Sequence, residues 1–215
     1  EALGLGQPWY VRFYLWLYQF FIVEPQYWID ALFGTDFAQG AQRIISFQSR
    51  SPVFDTIGER LPQTLWVVGM SYVVGVILAI PIGIISAYRQ YSIFDQIGTL
   101  ISMIGFSVPT FFTGVLLIVI FSVHLGWFPS IYDTTLEVTD WTSFKMQLRQ
   151  MAMPVFVLAL YNAAQISRYM RASMLDNLSQ DYVRTARAKG MSERVVLLKH
   201  VLRNSMIPVV TVIAL

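Results

Sequence analysis

LPQTLWVVGMSYVVGVILAIPIGIISAY, residues 61–88, runs for 28 residues between Arg60 and Arg89 without a charged side chain. A helix needs about 20 predominantly apolar residues to cross the roughly 30 Å hydrocarbon layer of a bilayer, so this stretch is long enough with room to tilt. Outward from it, Gln96 to Tyr132 forms a second charge-free run of 37 residues, interrupted in polarity only by His124. A third run of 18 spans Gln150 to Ser167, and a fourth opens at Ser205 and reaches Leu215. Transmembrane spans are therefore expected at about 62–88, 97–123 and 150–169, with the start of another at 205. The fold class is all-α, a polytopic transmembrane helical bundle.

Composition agrees. Of 215 residues, 55% are hydrophobic and 13% charged, against about 25% charged in soluble domains. So few charges cannot cover a soluble surface, and so much apolar and aromatic side chain excludes disorder. A net charge of +2 provides no field for nucleic acid. With no cysteine, a disulfide framework and a thiolate metal site are excluded. The N-terminal stretch Trp9 to Val23 is aromatic but carries Arg12, and Glu24 and Pro25 are expected to close it. Its tryptophans and tyrosines suit a headgroup boundary. The chain begins without Met and stops inside an apolar run, so it reads as an internal piece of a longer protein.

Orientation follows from the basic residues. Arg168, Arg171, Arg184, Arg187, Lys189, Arg194, Lys199 and Arg203 face only three acids in the same segment, Asp176, Asp181 and Glu193. The positive-inside rule places this segment in the cytoplasm. Residues 1–60 then form an external segment, 61–215 the transmembrane domain, 125–149 an outer loop and 170–203 a cytoplasmic segment.

Pro81 and Pro109 fall inside the two long runs, with Ser107 and Thr110 beside the second. They predict a static kink or a bend that shapes a path. Asn162 and Gln165, three apart, share a helix face. With Ser107 they are candidates for a translocation path, or else hydrogen-bonding glue between helices. His124 reads as an interfacial histidine. No charge lies in the middle of a span, which argues against an ion-driven relay.

The cytoplasmic segment reads as two short helices around a glycine. Ser179 is the expected N-cap of the first, with Asp181 in its first turn. Gly190 stands where a left-handed residue closes a helix. Ser192 is expected to cap the second, whose apolar stripe is Val195, Leu198, Val201 and Leu202. Arg184, Thr185, Ala186, Arg187, Ala188, Lys189 and Gly190 make a small, basic turn: a docking surface, or an anchor for anionic headgroups.

The stretch DYVRTARAKGMSERVVLLKHVLRNSMIPVVT, residues 181–211, resembles the signature loop of ABC-importer permeases, and is most similar to the dipeptide, oligopeptide and nickel branch. ERLPQTL at 59–65, GFSVPTFF at 105–112 and LGWFP at 125–129 resemble that branch in order and spacing. The likeness implies a type I importer permease of the prokaryotic inner membrane. It implies that the 184–190 turn docks on a cytoplasmic ATPase, with Arg184 standing where the wider family has Glu. It also implies a second permease, two ATPases and an external solute-binding protein as partners, with short peptides as substrate and nickel complexes, glutathione or oligosaccharides as alternatives. Measured against a permease of about six spans, this chain lacks the first, most of the fifth and the sixth. No GxxxxGK[ST] phosphate loop occurs, so ATP and magnesium are expected on the partners. HExxH and GxSxG are likewise missing, which leaves no catalytic or metal-ligating residue to nominate and disfavours an intramembrane enzyme. A structural membrane subunit is the remaining rival.

Overall fold

The computed structural model describes residues 6–38, 40, 41 and 43–214, and among these every regular element is helical, apart from one isolated bridge between Ile45 and Pro52. Contacts divide the chain into two units, Glu1–Gln63 and Thr64–Leu215.

In the first unit, α1 (Trp9–Tyr18) passes through a π-helical turn (Gln19–Val23) into α2 (Glu24–Phe33). The expected stop at Glu24 and Pro25 does not occur. Pro25 lies in the first turn of α2, and the wider π turn before it accommodates the carbonyls that a proline displaces. Gly34, at φ +67°, ends the helix instead. Glu24 is buried and accepts from Arg43 at 3.0 Å, while Arg43 also forks onto Asp55 at 2.7 Å through both nitrogens. The Asp55 hydrogen bonds, and then Glu24, hold the Arg43 pKa above its usual value.

The second unit is a bundle built around one helix. Its elements are α3 (Val53–Tyr88), which begins in the first unit, α4 (Ile93–Ser107), α5 (Thr110–Leu117) with a π turn (Ile118–His124), α6 (Trp141–Leu178), α7 (Asp181–Ala188), and α8 (Glu193–Val195) joined by a π turn (Val196–Val201) to α9 (Leu202–Ala214). Asp140 starts α6 with a capping box: its carboxylate accepts from the Ser143 amide at 2.7 Å, and the Ser143 hydroxyl accepts from the Asp140 amide at 3.0 Å. From there α6 runs 38 residues, well past both ends of the expected 150–169 span.

By length and composition, α3 and the continuous helical run Glu193–Ala214 are fit to cross a membrane. The latter begins well before the expected residue 205. The expected 97–123 span is two helices, α4 and α5, bent by 100° between Ser107 and Thr110. Val108 precedes proline and is driven to extended geometry (φ −83°, ψ 125°), which ends α4. Among the described residues, α6 is less apolar than these helices. Its polar residues are tolerated because it packs on α4, α5 and α9, with Gln147, Gln150, Ser167 and Ser173 buried.

α3 meets α6 through small residues. Ser71, Gly75, Ala79, Gly83 and Ala87, each four apart, are all buried. A Cβ placed on Gly75 would lie 3.0 Å from Asn162 Cβ, and one on Gly83 would lie 2.6 Å from Met170 Cβ. Such spacing lets two backbones approach closely in a membrane bundle. Further along α6, the Ser173 hydroxyl donates to the Ser205 carbonyl at 2.9 Å, and the Ser205 hydroxyl returns the bond to the Ser173 carbonyl at 3.2 Å.

Of the apolar stripe expected on the last helix, Val201 is buried and Leu202 packs against the core, while Val195 and Leu198 are exposed; the buried line is Val196, Val201, Ser205 and Val209. The π turn at 196–201 inserts one extra residue, which shifts the phase of everything before it.

Candidate functional site

α7 forms with Gln180, not Ser179, at its N-cap. Ser179 belongs to the end of α6, where its hydroxyl donates to the Asp176 carbonyl at 2.9 Å. Thr185 bonds back to the Asp181 carbonyl at 2.9 Å. The helix closes on Gly190, at φ +75°, with the Gly190 amide donating to the Arg187 carbonyl at 2.9 Å and the Met191 amide to the Ala186 carbonyl at 3.3 Å. These two bonds make a Schellman motif. Ser192 occupies the N-cap position of α8 in extended geometry, without a side-chain bond.

The turn is seated on the bundle. Val183 and Ala186 are buried in a core cluster with Met170 and Met174 of α6 and with Val196 and Val201. Ala186, expected to face a partner, is therefore an internal contact: three residues from Val183, it shares the inward face of α7. Arg184, Thr185, Arg187, Ala188, Lys189 and Gly190 are exposed. Arg187 is also engaged within the chain, donating to Glu193 at 2.6 and 3.2 Å. Arg184 makes a 3.4 Å contact to Asp181 in which both side chains are largely solvated, a pair of little strength. The surface offered outward is thus Arg184, Thr185, Ala188 and Lys189 beside the glycine.

Beneath the turn lies a cluster that sequence reading did not find. Asp95, buried near the start of α4, accepts from Arg171 Nε at 2.7 Å and Nη2 at 2.8 Å. It also accepts from the Tyr91 amide at 2.9 Å and from the Ser86 hydroxyl at the end of α3. The two charged partners are 76 residues apart, and no local pattern announces them. The only cue is that each stands just beyond a charge-free run.

Of the three residues nominated for a path, Asn162 lies against Gly75 of α3, and Gln165 is half-buried. Ser107 is exposed as the last residue of α4. Two hollows flank Gln150. One, of about 590 Å³, is lined by Ser122, Phe128, Asp133 and Arg149 among others. The second, of about 410 Å³, lies by the helix break, with Thr110, Phe111, Tyr132 and Pro154. The Thr135 hydroxyl at 2.7 Å and then its amide at 2.9 Å hold the Asp133 carboxyl below its usual pKa. Arg149 donates to the Trp127 carbonyl at 2.8 Å and so braces the loop before α6. His124 is exposed, its Nδ1 2.7 Å from the Val119 carbonyl.

Residues 79–215 match the family described as binding-protein-dependent transport system inner membrane component. The chain is 39% identical over 215 residues to the oligopeptide transport system permease protein AppB of Bacillus subtilis (strain 168), covering all of this chain and 62% of that protein. It is 40% identical over 215 residues to the glutathione transport system permease protein GsiC of Escherichia coli (strain K12), covering all of this chain and 60% of that protein. It thus spans about three fifths of the length of these relatives.

Proposed function

Because this chain belongs to the family of binding-protein-dependent transport system inner membrane components, we propose that it is the membrane-spanning part of an ATP-driven importer that carries short peptides. The observation that carries this reading is the α7–Gly190 turn, seated on α6 by Val183 and Ala186 while Arg184, Ala188 and Lys189 are left outside. A loop serving only as a headgroup anchor has no need of such seating. The basic excess of residues 168–203 supports a cytoplasmic position for this turn, where an ATPase subunit would receive it. Residues 125–149, with the two hollows beside Gln150, then face outward toward a solute-binding protein. A second permease subunit completes the path, and ATP with its magnesium belongs to the ATPases.

The peptide assignment draws on the likeness to AppB. Comparable identity to GsiC favours glutathione, itself a tripeptide, as a second reading. The full-length protein, reconstituted in proteoliposomes with its ATPase subunits and binding protein, should take up a labelled tripeptide only with ATP. Competition by unlabelled glutathione distinguishes the two substrates. Failure of any ATPase to co-purify in mild detergent, or ATP-dependent uptake of neither compound, refutes the reading.

A further inference from the structure

Asp95 is 3% exposed, yet its carboxylate has four donors: two from the Arg171 fork, the Tyr91 amide and the Ser86 hydroxyl. These donors come from α3, from the turn before α4 and from α6. Arg171 follows Met170 and precedes Met174 by three, and those two buried methionines carry α7 through Val183 and Ala186. Tyr91 adopts φ +62°, a left-handed geometry that a bulky side chain rarely takes. The carboxylate that receives Arg171 therefore also pins a strained turn. Strain of this kind persists only where its surroundings over-determine it, and it gathers at switching segments.

We propose that Asp95 and Arg171 are positioning residues that pass displacement of the α7–Gly190 turn to α4, and through α4 to the 100° bend into α5. The inference rests on the importer reading above. Stability alone is a poor reason for the pair, since apolar side chains of similar volume commonly serve as well as a buried ion pair. What a bidentate guanidinium–carboxylate contact adds is a fixed mutual orientation. Apolar contacts let helices slide. A fork with two parallel bonds makes the inner end of α4 follow the α6 turn that bears α7, while Ser86 supplies the fixed edge on α3. Displacement of α4 is then delivered at Ser107, where the chain turns.

Asp95→Asn strands the Arg171 charge, so folding would be tested together with coupling. The deciding variant is the double replacement Asp95→Leu with Arg171→Met, which removes both charges and retains packing volume. It is examined in the complete complex with its ATPases and binding protein. Spin labels at Val115 on α5 and Tyr169 on α6, both exposed, report movement across the bend, and these 215 residues contain no cysteine to compete for the label. In the otherwise native complex, the label separation should change with nucleotide. In the double variant, ATPase stoichiometry and basal hydrolysis should be retained, the nucleotide-driven change should vanish, and uptake per ATP should fall about tenfold. Arg171→Lys, which keeps the charge and loses the fork, should fall between. A double variant with native label movement and native uptake per ATP overturns the inference. So does one that no longer assembles, because the pair is then a support. A native complex with no ATPase bound refutes the importer reading itself and is recognised before any variant is made.

Discussion

Gly83→Ala adds one methyl group at the closest approach of α3 and α6. The new Cβ would lie 2.6 Å from Met170 Cβ, 2.8 Å from Met170 Cγ and 2.8 Å from the Ser167 carbonyl oxygen. Carbon atoms in contact rest at about 3.5–4.0 Å, so the helices must separate by roughly 1 Å. Rotation of Met170 relieves only the Cγ contact. The Cβ and the carbonyl move only with the backbone. Overpacking of this kind costs about 1–3 kcal/mol, and two backbone-fixed clashes argue for the upper end. Alanine returns up to about 1 kcal/mol of helix propensity. The net loss is about 2 kcal/mol, roughly a thirtyfold shift toward the unfolded state. Gly69→Ala on the same helix is the control, since a Cβ there meets nothing within 4 Å, and it should be neutral or slightly stabilising. Unfolding of the purified protein in mixed micelles, followed by tryptophan fluorescence against increasing denaturing detergent, measures both. Equal midpoints for the two variants would refute the close α3–α6 contact.

Three further outcomes follow from the same geometry. Gly190→Val forces a β-branched residue to φ +75°, at about 1–2 kcal/mol or more; insertion in the membrane should persist while ATPase association, measured by co-purification, fails. The Asp140 carboxyl is held below its usual pKa by the Ser143 hydroxyl and then the Ser143 amide, so its contribution is present above the usual aspartate value of about 3.9 and is lost as pH falls through the lower folded value. Hydrogen exchange at the start of α6 should therefore distinguish Asp140→Ala from the native chain at neutral pH and cease to do so in strong acid. An impermeant thiol reagent should label a cysteine at position 137 in intact cells and spare one at 187; the reverse pattern would invert the proposed orientation.

Much of the bundle is legible in the spacing of charges, because a run without charge is a requirement imposed by lipid and not by neighbouring helices. Pro109 likewise announces a break, and Gly190 its left-handed turn, since both act through the local backbone. What stayed hidden depends on partners. Residues 61–88 are apolar on every side, so hydrophobic periodicity says nothing about which face of α3 is inward; the four-residue repeat of Ser71, Gly75, Ala79, Gly83 and Ala87 does, and is readable once small residues are counted in place of large ones. Ala186 was misjudged because smallness serves an internal contact as well as an external one. The stripe on the last helix holds at Val201 and Leu202 and fails at Val195 and Leu198, because the π turn at 196–201 leaves no mark in composition. Asp95 and Arg171 are united only by the fold.

The composition of α6 bears on how the protein is made. This helix packs on α4, α5 and α9, and meets α3 at two glycines, yet falls outside the set apolar enough to cross a membrane alone. A ribosome delivers α3, α4 and α5 before it and α9 after it. Partitioning from the insertion channel directly into lipid is disfavoured for a segment carrying Gln150, Asn162 and Gln165. The expected route for α6 is then out of the channel onto protein, against the groove of small residues that α3 provides. Damage to that groove would stall biogenesis at α6 and register as a loss of protein abundance, through quality control acting on a half-inserted chain, before any transport could be measured.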